Sequence, residues 1–541
     1  MTAYEDITSA AAGSLVRLLG KGQQLRGRNG YQTIELQNEV TVLSRPLDRF
    51  VFLPGRGNDP FAAIAETAWV LAGRNDIDWL SRYLPRAGEF SDDGATWRGA
   101  YGPRLRNWCG SDPLLKVVHQ LRDEPSTRRA VLALFNPATD YVDTRDVPCT
   151  TTIQFLKRNG RIDATVTMRS NDVWWGFSGI NAFEWSVLLE AVAFWTGAEV
   201  GTLTFFAGSF HLYERHQKRA LAALNRYSSA SCYNWDGIER CSFQSPLEMF
   251  DERLGAFFDA EAEISDNPLQ TLPPTGDPLL DAFLSALRVK WAIEFDVSAP
   301  ALVSLLNEMP ATDVAAATTE WVARKRPELV EEMCDSPVRS FVVDYRAAAS
   351  RENSAPSELC RAISNIHRRK DRAYGAAWKR RGETRSILPN VARKIDRLES
   401  YTKSGTELDD ESVLDTVIDL LVYVIKHLLF LRDETERSTC NAALADRLDA
   451  MPLQDDPNAF DTALTDIITN ASSNRNIPEA IGAAISAFRE IDEHDQAGRP
   501  PEERIGLVLK LAGIAADLVI AVSKEYPLQA ITFVTSERRA S

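Results

Sequence analysis

Cysteine pairs are missing from this chain of 541 residues: its seven cysteines (Cys109, Cys149, Cys232, Cys241, Cys334, Cys360, Cys440) are scattered, odd in number and without a CxxC spacing. Neither a disulfide framework nor a structural zinc site is therefore expected, and a reducing cytoplasm is the compartment that fits. No stretch of about 18 apolar residues is read along the chain, and the opening MTAYEDITSAAAGSLVRLLGKGQ has early acids and no long apolar core, so neither export nor a membrane partner is expected. Positive charge is also short. Lys and Arg number 61 against 76 Asp and Glu, a net charge of −15, which disfavours nucleic acid as a partner but leaves room for a local basic pocket around one small anion. No internal repeat and no low-complexity segment appear.

What is present is an ordinary globular composition, 44% hydrophobic and 25% charged, long enough for about three domains or for two with one large. In TTIQFLKRNGRIDATVTMR two alternating runs flank Arg158-Asn159-Gly160, which predicts a hairpin. The stretch NAFEWSVLLEAVAFW, from Asn181 to Trp195, has helical apolar spacing and stops before Gly197, and GTLTFFAGSFHLY then reads as another strand. Strand, strand, helix, strand predicts an α+β domain of mixed sheet and packed helices over residues 1–300. Pro, Thr, Asp and Gly concentrate in SDNPLQTLPPTGDPLLD as in a loop, and a helical connector is expected over 301–335. Residues 336–541 are predicted to be all-α, with Val413, Leu414, Val417, Ile418, Leu421, Val424 and Ile425 on one broad apolar face.

The residues that suggest chemistry run from Asp123 to His216. Cys149 stands at a strand entrance in VPCTTTIQF; alone it would serve as a small buried hydrophobe. Twenty residues on, Arg169-Ser170-Asn171-Asp172 places a cation, a hydroxyl, an amide and a carboxylate in succession, and Arg128-Arg129 adds two guanidiniums. Arginines can clamp a phosphate bidentately, and a guanidinium beside a thiol lowers its pKa.

The segments DEPSTRRAVLALFN, VPCTTTIQF, MRSNDVWWGFSGINAFEW and GSFHLYERH resemble, in order and spacing, the thymidylate synthase and deoxycytidylate hydroxymethylase family, and AIAETAWVLAGRNDIDWL with GAYGPRLRNW is similar to its glutamate-bearing helix and tyrosine-glycine loop. The resemblance covers roughly residues 20–250. It implies that Cys149 attacks C6 of a pyrimidine nucleoside monophosphate and that C5 then captures the one-carbon unit of methylene-tetrahydrofolate. It further implies that Arg28, Arg169 and Ser170, with Arg128 and Arg129 from the partner in a homodimer, hold the phosphate, and that His211 and Tyr213 bond the ribose. Asn181 would read the base, Asp172 and Trp79 would lie by the folate, and Glu66 and Tyr101 would serve the proton transfers. Taken singly, the arginine pair could be solvated, His211 a core histidine and Glu66 a structural acid.

Three departures bear on the outcome. Thr150 follows the cysteine where the family usually has His, the loop Gly176–Asn181 has one residue more than usual, and Gly208-Ser209 stands where Gly-Asp is common. A carboxamide at 181 can meet either uracil or cytosine by flipping, whereas a carboxylate would favour cytosine, so Asn181 favours uracil without excluding cytosine. The expectation is thymidylate synthase-like methylation of dUMP, with hydroxymethylation of dCMP, CMP or dUMP as the alternative and, in a different class, a degenerate fold that senses nucleotide. The C-terminal segment is similar to a helical domain associated with nucleotide modification and distantly to MazG-like pyrophosphohydrolases. There Glu411, Asp415 and Asp419, at i, i+4 and i+8, could hold Mg²⁺ with Lys394, Arg393 and Arg397 toward phosphates, or could be the solvated side of an amphipathic helix.

Overall fold

The computed structural model describes residues 2–27, 30–374, 382–404, 412–441, 457–471 and 476–540. Two compact units divide between Ser350 and Arg351. The stretch 301–335 is therefore not a connector. Its helices Ala299–Glu308 and Asp313–Lys325, and the helix Pro337–Ala349 beyond them, belong to the first unit because their apolar faces are spent there. Phe341 meets Phe52 edge-on at 5.2 Å and Trp321 meets Phe61 at 4.9 Å. Burial of this kind ties a helix to a core more firmly than any loop composition predicts.

The first unit is built on a seven-stranded mixed sheet: β1 (Thr2–Tyr4), β2 (Gln23–Arg26), β3 (Gln32–Leu43), β4 (Val131–Ala133), β5 (Thr150–Arg158), β6 (Arg161–Asp172) and β7 (Glu199–Tyr213), in the order β1-β3-β7-β6-β5-β4 with β2 beside β3. The hairpin β5–β6 turns at Asn159 (φ 50°) and Gly160 (φ 78°), the two left-handed residues that a two-residue hairpin turn requires. From β6 the chain passes through the helix Ala182–Trp195 and returns as β7 parallel to β6, since parallel neighbours need a crossover. That helix is buried along almost its whole surface, which is why its sequence is apolar all round. The register sets Ser170 beside Ser209 and Asp172 beside His211 on β7, while Glu35 of β3 lies on the other side of His211.

A buried ion pair ties the helix Tyr101–Arg106 to the segment that precedes β5. Arg104, on the helix Tyr101–Arg106, grips Asp140 with both terminal nitrogens at 2.7 and 2.8 Å and also donates to the carbonyls of Leu134 (2.5 Å) and Arg98 (3.1 Å).

The second unit is helical, as its periodicity predicts. The long helix Val413–Asn441 buries Val413, Leu414, Val417, Ile418, Leu421, Val424 and Ile425, the face expected from the sequence, against the helices Leu388–Ser404 and Pro501–Glu525. Pro501–Glu525 is long and apolar enough to cross a membrane by length and composition, contrary to the reading that no such run exists. Here it is a core helix, with Leu511, Ala515, Leu518 and Val519 buried.

Breaking a buried pair by removing one partner costs about 3–5 kcal/mol. Arg104→Ala should therefore lower the urea-unfolding free energy of the first unit by about that amount, and Arg104→Ala/Asp140→Ala should recover part of it. A double variant no more stable than the single one would show that the pair is not coupled.

Candidate functional site

The site forms where β6 ends. Asp172 turns the chain there, its carboxylate accepting from the backbone N–H groups of Trp174 (2.9 Å) and Trp175 (3.3 Å). The next stretch is not a loop: Val173–Asn181 is wound as a π-helix that runs straight into the helix Ala182–Trp195. Such i→i+5 turns are rare and concentrate at functional sites. Arg56, buried, braces the turn from a neighbouring segment, donating to the Trp174 carbonyl and to Ser178 Oγ (3.2 Å) with its guanidinium over the Trp174 ring. Burial pulls the Arg56 pKa down to about 10, and the Asp172 carboxylate opposes that shift. At Gly176 a Cβ would stand 2.8 Å from Asn171 Oδ1 and 3.0 Å from Asn181 Oδ1, so glycine is what lets the two buried amides approach the turn.

Cys149 lies half-buried at the entry of β5. Its carbonyl accepts from the Arg169 N–H at 2.9 Å, and the Arg169 guanidinium donates to the carbonyls of Pro148 (3.0 Å) and Val147 (2.8 Å) while its Nη2 reaches Sγ at 3.6 Å. The guanidinium pulls the thiol pKa down as the sequence suggests, but desolvation is larger and the charges of Asp146 and Asp172 add to it, so the thiol sits above its ordinary value. The resting group is a thiol. The Tyr101 hydroxyl accepts from the N–H of Thr150, next to the cysteine, at 3.0 Å, and its ring rests on Trp185 at 5.1 Å. Burial pushes the ionisation of Tyr101 up.

Glu66 projects from the fully buried helix Pro60–Leu71, where desolvation and the charge of Asp146 raise its pKa to about 8. Burial likewise raises Asp172, with its two backbone N–H bonds and His211 opposing. His211 is buried, its Nδ1 3.5 Å from Ser209 Oγ and its ring edge-on to Tyr213 at 5.2 Å; Arg215 covers the Tyr213 ring at 4.6 Å. Burial pushes Tyr213 up as well. Asn181, buried at the last π-turn residue, and Ser170, beside Ser209 in the sheet, complete the group. Arg128 and Arg129 are exposed and have no ion pair among the described residues. Arg28 lies outside the described residues.

Trp79 stands apart from the residues gathered around Cys149 in its hydrogen bonds and ring contacts. It is buried, its indole N–H donates to Glu261 at 2.6 Å, and its ring packs on Tyr83 and Phe258; none of these is another expected site residue. In the second unit Glu411 lies outside the described residues. The Asp415 carboxylate accepts from Ser412 Oγ (2.7 Å) and N (3.3 Å) as a helix cap, Asp419 is paired with Lys394 at 2.7 Å, and Arg393 donates to Asn390. These carboxylates are already engaged, and among the described residues no three His, Cys, Asp or Glu side chains come together as a metal site, so the donor set does not fit the expected Mg²⁺.

Two groups escaped the sequence. One is Arg56, which no motif marks. The other is Glu184, an acid in an otherwise apolar helix, 1% exposed, its pKa raised well above the ordinary value by burial and by the charge of Glu66. A carboxylate in an apolar run was itself the available signal, because buried acids are rare unless paired.

The sign of the Glu66 shift gives a test. With a folded pKa of about 8 against the usual 4.5, the native state holds the proton more tightly than the unfolded chain, so stability falls as pH rises through that window. The slope reaches at most about 1.4 kcal/mol per pH unit. Glu66→Gln should flatten it in urea titrations across the window; an unchanged slope would place the shift on another group.

A model of the thymidylate synthase family matches residues 13–235. Over 222 residues the chain is 39% identical to a deoxyuridylate hydroxymethyltransferase of Bacillus phage SP01, a match covering 39% of this chain and 56% of the relative. Proteins of the same name from Pseudomonas phage M6 (36% over 211 residues; 39% of this chain, 60% of the relative) and Delftia phage PhiW-14 (31% over 220 residues; 38% and 60%) are similar over the same part. The chain thus spans less than two thirds of the length of these relatives. The matched segment, residues 13–235, contains the π-turn, the cysteine and the strands β2 to β7 described above, and it is this part of the chain that is similar to the thymidylate synthase family.

Proposed function

We propose that the first unit transfers a one-carbon unit from methylene-tetrahydrofolate to C5 of a pyrimidine nucleoside monophosphate, with deoxyuridylate as substrate and a hydroxymethyl group as product. The observation that carries this reading is the meeting of Cys149 with the Arg169 guanidinium at 3.6 Å and of Tyr101 with the next residue's N–H, among the buried acids Asp146 and Asp172, whose charges act on the thiol. C5 of a pyrimidine is not a nucleophile until a thiolate has added at C6, and that addition needs a nearby cation and a group able to move protons near neutral pH. Arg169 supplies the cation beside Sγ, and Glu66, with a pKa of about 8, is poised to take and return a proton. A bound phosphate would draw on Arg169 and Ser170, His211 and Tyr213 would meet the sugar, and Asn181 would present its amide to the base. Asp172 would lie against the folate ring, its carboxylate already oriented by two backbone N–H groups.

The names of three phage relatives support hydroxymethylation of deoxyuridylate. Methylation is the second reading, favoured by the description of the matching family model. Arg128 and Arg129, exposed and without an ion pair among the described residues, support a homodimer in which each copy completes the other's phosphate pocket. The net charge of −15 supports a free nucleotide, in the cytoplasm, in preference to a nucleic acid or an anionic membrane.

Purified protein with dUMP, dCMP, UMP or CMP and methylene-tetrahydrofolate should yield hydroxymethyl-dUMP by mass, without the dihydrofolate absorbance that methylation produces. Nucleotide binding with no product from any of the four would instead support a sensor. Cys149→Ser should keep nucleotide affinity and lose at least about a hundredfold in kcat, because a serine without an adjacent base is a poor nucleophile. Turnover within about tenfold of the parent would remove the covalent mechanism. Inactive Cys149→Ser and Arg129→Ala proteins should regain activity on mixing, since one site of each heterodimer is then intact; a fully active monomer in sedimentation would overturn the shared site.

A further inference from the structure

Buried acids in the first unit commonly have a cation or several donors. Glu190 meets the Arg49 guanidinium and accepts the Phe243 N–H at 3.0 Å. Glu261 accepts from Trp79 (2.6 Å) and Trp291 (3.2 Å), and Glu320 pairs with Arg324 at 3.2 Å. Glu184 lies on the same helix as Glu190, yet neither of its carboxylate oxygens has a well-formed hydrogen bond among the described residues. A polar group so placed is expensive to bury, and one that persists is usually explained by a reaction or a ligand.

Its surroundings belong to the site. Glu184 sits three residues after Asn181, whose amide is near enough to oppose its pKa shift in part. The charged and titratable groups facing it are Glu66 from the helix Pro60–Leu71 and Tyr101 from the helix Tyr101–Arg106. Beyond these stand Asp146, which acts on Glu66, and Cys149, which acts on Tyr101. No cation is among them. Trp185, the next residue, packs on the ring of Tyr101 and so fixes the first turn of the helix against the cysteine's neighbourhood.

We propose that Glu184 is a positioning residue for product choice: with Glu66 it forms an acid pair that shares one proton and holds the water that adds to the C5 methylene of the nucleotide. This rests on the C5-transfer reading. In the step, the water oxygen bonds to the methylene carbon, its proton passes to the carboxylate of Glu66, and the electron pair of the C5–methylene double bond moves onto C5 and its neighbouring carbonyl. Collapse of that enolate expels the Cys149 thiolate from C6 and restores the C5–C6 double bond. Nothing is oxidised or reduced, and folate leaves as tetrahydrofolate. The raised pKa values of both acids agree with a pair that keeps a proton near neutral pH.

The test uses full-length parent, Glu184→Gln and Glu184→Ser, with [5-³H]dUMP and methylene-tetrahydrofolate. Tritium release reports every step up to the C5 methylene, and a small added thiol traps that methylene as a thioether. Both variants should release tritium within about threefold of the parent and lose at least about tenfold in hydroxymethyl product, with thioether replacing it, on the scale of general acid–base effects. Product and tritium falling by one common factor, or product unchanged, overturns the role, as does a parent that makes methyl product with dihydrofolate. A parent that releases no tritium from any pyrimidine monophosphate sinks the C5-transfer reading first, and the acid pair with it.

Discussion

The parallel pairing of β6 with β7 is the constraint on which the site depends. Because the two strands run side by side in one direction, residues far apart in sequence end at one level: Ser170 beside Ser209 and Asp172 beside His211. The crossover that makes such pairing possible is the buried helix Ala182–Trp195, and its first turn supplies Glu184. The π-turn between strand and helix is thus doubly held, by the Asp172 cap at its start and by Arg56 against its carbonyl and hydroxyl groups. One register sets where the acid, the imidazole and the amide can be, and a one-residue slip would send each to the opposite face.

Desolvation is the second organising force. Glu66, Asp172, Glu184, Tyr101 and Cys149 are all shifted upward by it, each toward the neutral form. A site of this kind stores protons instead of charge, and a single guanidinium beside Sγ is then the local bias toward the thiolate. The arrangement suits chemistry in which protons are passed between carbon, sulfur and oxygen.

The second unit follows simpler rules. Its helices bury continuous apolar faces, and the carboxylates of Asp415 and Asp419 are taken up by a cap and an ion pair, Ser412–Asp415 and Lys394–Asp419. Carboxylates at i and i+4 satisfy the spacing of a cation site, but spacing says only that two side chains share a face; which partner neutralises them depends on the helix packed alongside. The same limit applies to Pro501–Glu525, whose composition suits a bilayer or a core equally and whose packing makes it a core.

By itself the sequence determined the local elements and the order of the chemistry-bearing residues. Alternation with Asn159-Gly160 specifies the β5–β6 hairpin, 3.6-residue spacing specifies the helices, and Cys149, Arg169, Asp172, His211 and Tyr213 read as one series because backbone periodicity and residue type are local properties. Tertiary structure alone decided the rest. It wound an expected loop as a π-helix, gave residues 301–335 to the first unit, and packed Trp79 into a cluster around Glu261. It also raised the Cys149 thiol where a neighbouring arginine alone would lower it, and left Glu184 without a cation beside Glu66. Desolvation and the identity of a distant partner are sums over everything packed around a group, and no window of sequence contains them.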